Sequence, residues 1–326
     1  MEPNSSKGAG RKFVRRDTMR SHLVLEVASE LVEREEWPHR QVQIHMREQG
    51  AQSWPVTLFG SDTPAVIEQV ARREVQVAII NPAAPLAMAL QGKGPFQKSI
   101  PLRAITVIPS FDQLAFAVTA ASGLKSLAEI RERRFPLRVS LRGQMDHSAH
   151  LVVNEVLSAA GFSLQDIISW GGKIRYDEGL PNSPTRLGAV RRGEVNAIFD
   201  EAVRSWVTPA LESGMRILPL DEPLLKQLEA LGLRRGALSN RQYPKLDRDV
   251  PTLDFSGFPV YTHADVPESL VASICAALES RKGTILWEGE GPLPLERMCR
   301  DTPEGPLNIP LHPAAERFWR ERGYLR

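Results

Sequence analysis

Two ten-residue stretches, far apart in this chain, are nearly the same. Arg72-Arg73-Glu74-Val75-Gln76-Val77-Ala78-Ile79-Ile80-Asn81 aligns without a gap on Arg191-Arg192-Gly193-Glu194-Val195-Asn196-Ala197-Ile198-Phe199-Asp200. Each has a basic helix end, a short apolar run and then one polar side chain. The run is strand-length and rich in branched residues, which predicts a strand buried on both faces. A helix feeding such a strand is half of a βαβ unit, and its presence in both halves predicts two α/β lobes. Ligands of open α/β sheets sit outside the carboxyl ends of the strands. Asn81 and Asp200 hold that position and are expected to face each other across a cleft. A generic helix-to-strand corner, met twice by chance, would give the same pattern.

At 326 residues the chain has room for two domains or lobes. Hydrophobic content of 42% and charged content of 25% are those of an ordinary globular protein. Lys+Arg 41 against Asp+Glu 39 leaves a net charge of +2, so no electrostatic footprint for nucleic acid is present and no nucleic-acid partner is expected. Two cysteines, Cys275 and Cys299, make no disulfide framework. No segment approaches the roughly 18 apolar residues that span a bilayer, so membrane insertion is not expected. The N-terminus lacks a secretory apolar stretch. Arg15-Arg16 matches the dipeptide of a twin-arginine signal, but Asp17, Arg20, Glu26 and Glu30 follow where such a signal needs an uncharged region. As written, the chain is expected in the cytoplasm, or in the periplasm if a leader was removed.

Punctuation residues divide the chain further. Residues 1–16 read as a disordered basic tail, and Asp17 or Thr18 then caps a helix to about Glu36. Gln41 to Met46 alternates as a half-buried strand. Ser61-Asp62-Thr63-Pro64 is a helix start, leading through Arg73 into the strand Val75 to Ile80. Leu102 to Ile108, Leu114 to Val118 and Leu137 to Leu141 are further strands. Ser126-Leu127-Ala128-Glu129 is a capping box. The run Gly143-Gln144-Met145-Asp146-His147-Ser148 opens a helix that Gly161 stops. Val250 to Tyr261 is extended, and Ala314 to Arg322 is a closing helix.

The order strand, Ser-Leu-capped helix, strand, glycine loop, helix, together with the ending Ile309-Pro310-Leu311-His312-Pro313-Ala314-Ala315-Glu316-Arg317-Phe318-Trp319-Arg320-Glu321-Arg322-Gly323, resembles a known family. It is the TAXI family of solute receptors for TRAP transporters, a branch of the type II periplasmic binding proteins within the NMT1-like superfamily. Ser122 to Ile130 is similar to that family's linker into the second lobe, Arg138 to Gly143 to the strand and loop that follow, and Asp249 to Thr252 to the return crossing. The resemblance runs from about residue 40 to the C-terminus. It implies an α/β, two-lobed type II periplasmic-binding-protein fold with two hinge crossings. Residues 17–117 with 251–326 would form lobe 1, and 118–250 lobe 2, with hinges near Ala117–Ala120 and Val250–Asp254. The chain departs from the family at Gly10 to Thr18, where a glycine- and threonine-rich loop is usual, and at the bulkier, charged Gly143 to Ser148.

Three elements are expected to converge on the cleft. At Ser61, Asp62 and Thr63, free backbone N–H groups and the helix dipole favour an anion by about 0.3–1 kcal/mol, although plain capping accounts for the same residues. Gly143, Asp146, His147 and Ser148 are the matching start in the second lobe. There a negative Asp146 favours a ligand with an amine or hydroxyls. His147 and His150 lie one helical turn apart, a spacing that can hold a metal, but the pair alone is not read as a metal site. Asn81, Asp200, Glu201 and Arg204 form the third element. Adjacent carboxylates at a strand end can bind a cation or serve as general acid and base, while Asp200 can also be a simple helix cap. No nucleophile elbow, phosphate loop, dinucleotide fingerprint or zinc cysteine pattern is present, so no cofactor is expected.

The expected function is binding of a small polar solute, carboxylate- or amine-bearing, by closure of two lobes. The partners would be that ligand and, for an exported chain, TRAP membrane subunits. The alternatives are a cytoplasmic lyase or decarboxylase on the same scaffold and a cytoplasmic ligand sensor, between which fold does not choose.

Overall fold

The computed structural model describes residues 16–34, 41–47 and 55–326. The chain divides into two compact units, Met1–Arg40 and Gln41–Arg326. In the first, a helix spans Arg16–Glu33. The expected basic tail lies outside the described residues except for Arg16, and so does the expected last turn of this helix to Glu36. Among the described residues no helix is long and apolar enough to cross a membrane.

Among its described residues the second unit holds twelve strands: β1 (Val42–Met46), β2 (Val56–Gly60), β3 (Val77–Ile79), β4 (Leu102–Ile108), β5 (Gln113–Thr119), β6 (Arg138–Arg142), β7 (Lys173–Asp177), β8 (Ala197–Asp200), β9 (Met215–Ile217), β10 (Arg235–Leu238), β11 (Val250–Asp254) and β12 (Phe258–His263). They form two sheets, in an α/β fold. One runs β1-β2-β3-β12-β4. The other runs β10-β11-β5-β8-β6-β7, with β9 also on β5. The repeated strands therefore fall in different sheets, β3 in the first and β8 in the second. Strand β2 was not anticipated; it pairs antiparallel with β1 and parallel with β3.

Capping follows the sequence closely. Ser126 accepts a hydrogen bond from the Glu129 backbone, and the Glu129 side chain accepts from the Lys125 backbone. Gly161 ends the helix Ser148–Ala159 with φ +82°, a left-handed value that glycine adopts without a Cβ penalty.

The chain passes between the sheets twice, at residues 109–112 and 255–257. The segments expected at the hinges instead belong to the second sheet, Ala117–Thr119 in β5 and Val250–Asp254 in β11, with Ala120 in the turn that follows β5. Leu114, Phe116 and Val118 are fully buried because β5 is a central strand, flanked by β8 on one side and by β11 and β9 on the other. The crossings lie side by side. Phe255 N–H donates to Asp112 O at 2.9 Å, Gly257 N–H to Ser110 O at 3.1 Å, and Asp112 N–H to Ser256 Oγ at 3.0 Å.

One apolar core continues across both sheets, from Ile67, Leu86 and Leu102 to Phe116, Val139 and Phe199. A second, around Trp206 and Ile198, backs the second sheet. A third, around Trp319, Val271 and Met298, backs the first. The C-terminal segment docks there: Ala104 N–H donates to Pro310 O at 2.9 Å, and His312 N–H to Ala104 O at 2.7 Å. The helix Pro313–Glu321 is capped by His312, whose Nδ1 accepts from Ala314 N–H at 3.2 Å.

Candidate functional site

Strands β7, β6 and β8 are parallel neighbours, and their carboxyl ends carry Asp177, Arg142 and Asp200. A chain of polar contacts joins them. Arg175 donates to Asp177 Oδ1 at 3.0 Å, Ser140 Oγ donates to Asp177 Oδ2 at 2.8 Å, and Arg186 Nε donates to Ser140 Oγ at 3.0 Å. Arg186 Nη1 then pairs with Asp200 Oδ2. Arg142 donates to Asp200 Oδ1 through Nε at 3.2 Å and Nη2 at 3.0 Å, and Nη2 also pairs with Glu201. Asp200 and Arg186 are both 0% exposed. A buried charge needs a partner, and Asp200 supplies one to two arginines while its Oδ1 also accepts from Glu201 N–H at 2.9 Å. Its oxygens are thus committed to the protein.

Glu201 is held by the next turn. Its carbonyl accepts from the buried Trp206 indole at 2.7 Å. Ala202, which follows, has φ +59°, an unusual value for a residue with a side chain. Asp112 stabilises that turn from the first crossing, accepting from Ala202 N–H at 2.7 Å and Val203 N–H at 3.0 Å, so it caps the helix Val203–Glu212. Burial pushes the Asp112 carboxyl up to about 6, against the pull of those backbone donors.

Asn81, Glu201 and Arg204 line one cavity of ≈ 220 Å³ at the crossings, together with Ser110, Phe111, Asp112, Phe258 and Glu288. Asn81 therefore shares a cavity with Glu201, the residue after its counterpart in the repeat. The Arg204 guanidinium lies 5.0 Å over the Phe111 ring and 3.7 Å from Glu288.

The loops after β2 and β6 meet directly. Ser148 N–H donates to Asp62 O at 2.8 Å, and the Ser148 hydroxyl donates to the same carbonyl. The amino end of the helix Ser148–Ala159 is thus occupied by a backbone carbonyl of the opposite sheet's loop. His147 Nδ1 accepts from Ala149 N–H at 3.1 Å, and Nε2 stands 3.9 Å from the Asp62 carboxylate. Ser61 Oγ accepts from Thr63 N–H at 3.2 Å, and Thr63 Oγ1 from Ala65 N–H at 3.3 Å, so both make local turns. Gly143 donates its N–H to Asp177 O at 2.9 Å, and a Cβ there would stand 3.0 Å from the Asp177 carbonyl carbon. Asp146 is exposed, 3.4 Å from Gln41 Nε2. His150 turns to Gln144 O at 3.0 Å.

Of the sequence-predicted residues, Asp62, His147 and Ser148 come together in one group and Asn81, Glu201 and Arg204 in another, while Asp200 joins the arginine network. Arg142 stands between them. It pairs with Asp200 and Glu201, and its charge also acts on Asp62 and His147. Arg142, Ser110, Phe111 and Asp112 were not singled out. Arg142 ends its strand just as Asp200 does, so the strand-end rule applied to it equally well.

Burial, helped by the Arg142 charge, pushes His147 down to about 3. Burial likewise lowers His150, His263 and His312. His147 stays neutral in the folded chain down to about pH 3, while its unfolded counterpart gains a proton near pH 6.5. The stability that His147 contributes is therefore expected to be lost as pH drops from about 6.5 towards 3, against an opposite contribution from the raised Asp112 carboxyl. Urea midpoints measured across that window check this. His147→Asn, which keeps a capping acceptor and removes the titration, should flatten the slope; an unchanged slope would mean that His147 ionises freely.

The sequence matches the NMT1-like family over residues 64–323. A comparison with curated proteins finds no match. Among solved structures, the chain is similar to the alkanesulfonate-binding protein SsuA of Xanthomonas axonopodis pv. citri bound to MOPS, at 16% identity, covering 68% of this chain and 60% of that one with a TM-score of 0.34. It is also similar to PhnD1 of Prochlorococcus marinus in complex with methylphosphonate, at 11% identity, 70% and 71% coverage and a TM-score of 0.37. ProX of Borrelia burgdorferi, a glycine/betaine/L-proline-binding protein, matches at 8% identity, 62% coverage of each chain and a TM-score of 0.35. The chain spans less than two thirds of SsuA and of ProX.

Proposed function

We propose that this chain, which belongs to the NMT1-like family, is a binding protein for a small polar solute, held between two lobes that move about the paired crossings at 109–112 and 255–257. The observation that carries this reading is the cavity at those crossings. Asn81 reaches it from the end of the first sheet's β3, and Glu201 and Arg204 reach it from the end of the second sheet's β8. Rotation about two adjacent crossing segments would change the spacing of these residues while leaving each sheet intact. The contact of Asp62 with His147 and Ser148 then closes the far side of the cleft.

Within the family, the ending from Ile309 to Gly323 and the linker from Ser122 to Ile130 support the TAXI branch. The partners on that reading are a small carboxylate- or amine-bearing solute and, for an exported chain, the membrane subunits of a TRAP transporter. Native mass spectrometry of freshly purified protein tests the binding reading. A retained small molecule, released when the chain is denatured, is the expected result. Apo protein alone, with no solute from a broad panel shifting its melting, would count against it.

A further inference from the structure

Among the described residues, three polar atoms bordering the crossing cavity have no hydrogen-bond partner. The Asn81 amide donates to Phe255 O at 2.8 Å and to Gly257 O at 3.0 Å. Two carbonyl acceptors fix the NH2 group on the side of the second crossing, so the amide oxygen is directed away from it. Among the described residues that oxygen accepts no hydrogen bond. Ser110 has both backbone groups engaged, its N–H with Glu304 O at 2.8 Å and its carbonyl with Gly257 N–H at 3.1 Å. Its hydroxyl has no partner among the described residues. Glu201 gives one oxygen to Arg142, and its other oxygen has no partner among the described residues. Asn81, Ser110 and Glu201 are only 7%, 4% and 8% exposed, and all three line the cavity. Among the described residues the enclosed polar side-chain atoms without a partner lie elsewhere, at Gln113, Tyr261 and His312, so these three stay accessible from the cavity. A group that enters the cavity can satisfy them.

The chemistry of the lining narrows what that is. Asn81 Oδ1 and the free Glu201 oxygen only accept hydrogen bonds, and the Ser110 hydroxyl can accept as well. The charged lining residues are Asp112, Glu201 and Glu288 against Arg204 alone. Arg204 is already engaged with Glu288 and the Phe111 ring, and Arg142 behind the site is engaged with Asp200 and Glu201. An anionic group would meet this negative excess, and of these three atoms only the Ser110 hydroxyl could donate to it. A cation with N–H groups would meet acceptors, with Phe111 and Phe258 as the apolar wall. At ≈ 220 Å³ the cavity is smaller than the roughly 300–1,000 Å³ of a typical whole-ligand pocket, which suits a head group.

We propose that this cavity binds a positively charged amine on the solute, with Asn81 Oδ1, Ser110 Oγ and the second carboxylate oxygen of Glu201 accepting its N–H groups. The assignment rests on the solute-binding reading above and supplies the class of its ligand.

Calorimetry with n-butylammonium and butyrate, equal in length and opposite in charge, tests it on the full chain. Butylammonium should bind and butyrate should not. Glu201→Gln should weaken butylammonium by about tenfold to a hundredfold, the cost of one charged hydrogen bond. Ser110→Ala, which lies outside the arginine network, should weaken it by about two- to tenfold. Butyrate binding as tightly as butylammonium, no butylammonium binding, or binding that neither substitution weakens would each overturn the assignment. A retained solute without an amine would leave the solute-binding reading standing and remove this one. A chain that binds neither probe and retains no solute would remove both.

Discussion

Replacing Trp319 with alanine is expected to lower the stability of the chain by about 3–5 kcal/mol. The side chain is 1% exposed, within the core that backs the first sheet. Its indole N–H donates to Ile105 O at 2.9 Å, so truncation leaves both a cavity and an unpaired carbonyl. Phe318 and Tyr324 pack edge-on against the ring, at 5.0 and 6.0 Å between centroids, and lose those contacts as well. The effect is large because one residue fastens a whole segment. The Pro310 and His312 bonds to Ala104 hold the approach to the helix, and Trp319 holds its far end. Urea or thermal unfolding measures this. A variant that melts with the wild type would mean the C-terminal helix contributes no packing to the first sheet.

Asp200→Asn is expected to be costly for a different reason. It keeps the shape but removes the negative charge that two arginines share. Arg186, fully buried, would lose its ionic partner and keep only Ser140 and the Gly179 carbonyl nearby. Removing one member of a buried ion pair costs about 3–5 kcal/mol, because the charge that remains is uncompensated. The measurement is the denaturation midpoint of Asp200→Asn beside that of Glu201→Gln. Glu201 is the last member of the network, and Arg142 would retain Asp200 without it, so its loss should cost less. A wild-type midpoint for Asp200→Asn would release Asp200 from the structural role and make it a ligand contact again.

The repeated stretch separates what is local from what is not. Its apolar run dictates strands β3 and β8, since only burial on both faces suits such a sequence. Helix starts and stops are equally local. Ser126 with Glu129 and Gly161 each act through atoms a few residues away, so the sequence already contains their partners.

The pairing of elements was not legible in this way. That β5 and β11 belong to the second sheet follows from hydrogen bonds between residues about 140 positions apart, such as Leu114 with Leu253. Nothing in either strand names its partner. The same holds within the site. Sequence placed Asn81 and Asp200 at equivalent strand ends, but successive residues of a strand point to opposite sides. One step along the chain decides between the buried arginine network, which Asp200 joins, and the cavity, which Glu201 lines. Asp112 carried no local signal, because its role as the cap of Val203–Glu212 exists only once the crossing lies against that helix. The sequence by itself determined the repeated strands β3 and β8 and the helix ends at Ser126 and Gly161. Only the tertiary structure decided which polar side chains are consumed by one another and which remain open to a ligand, because that depends on contacts between distant segments.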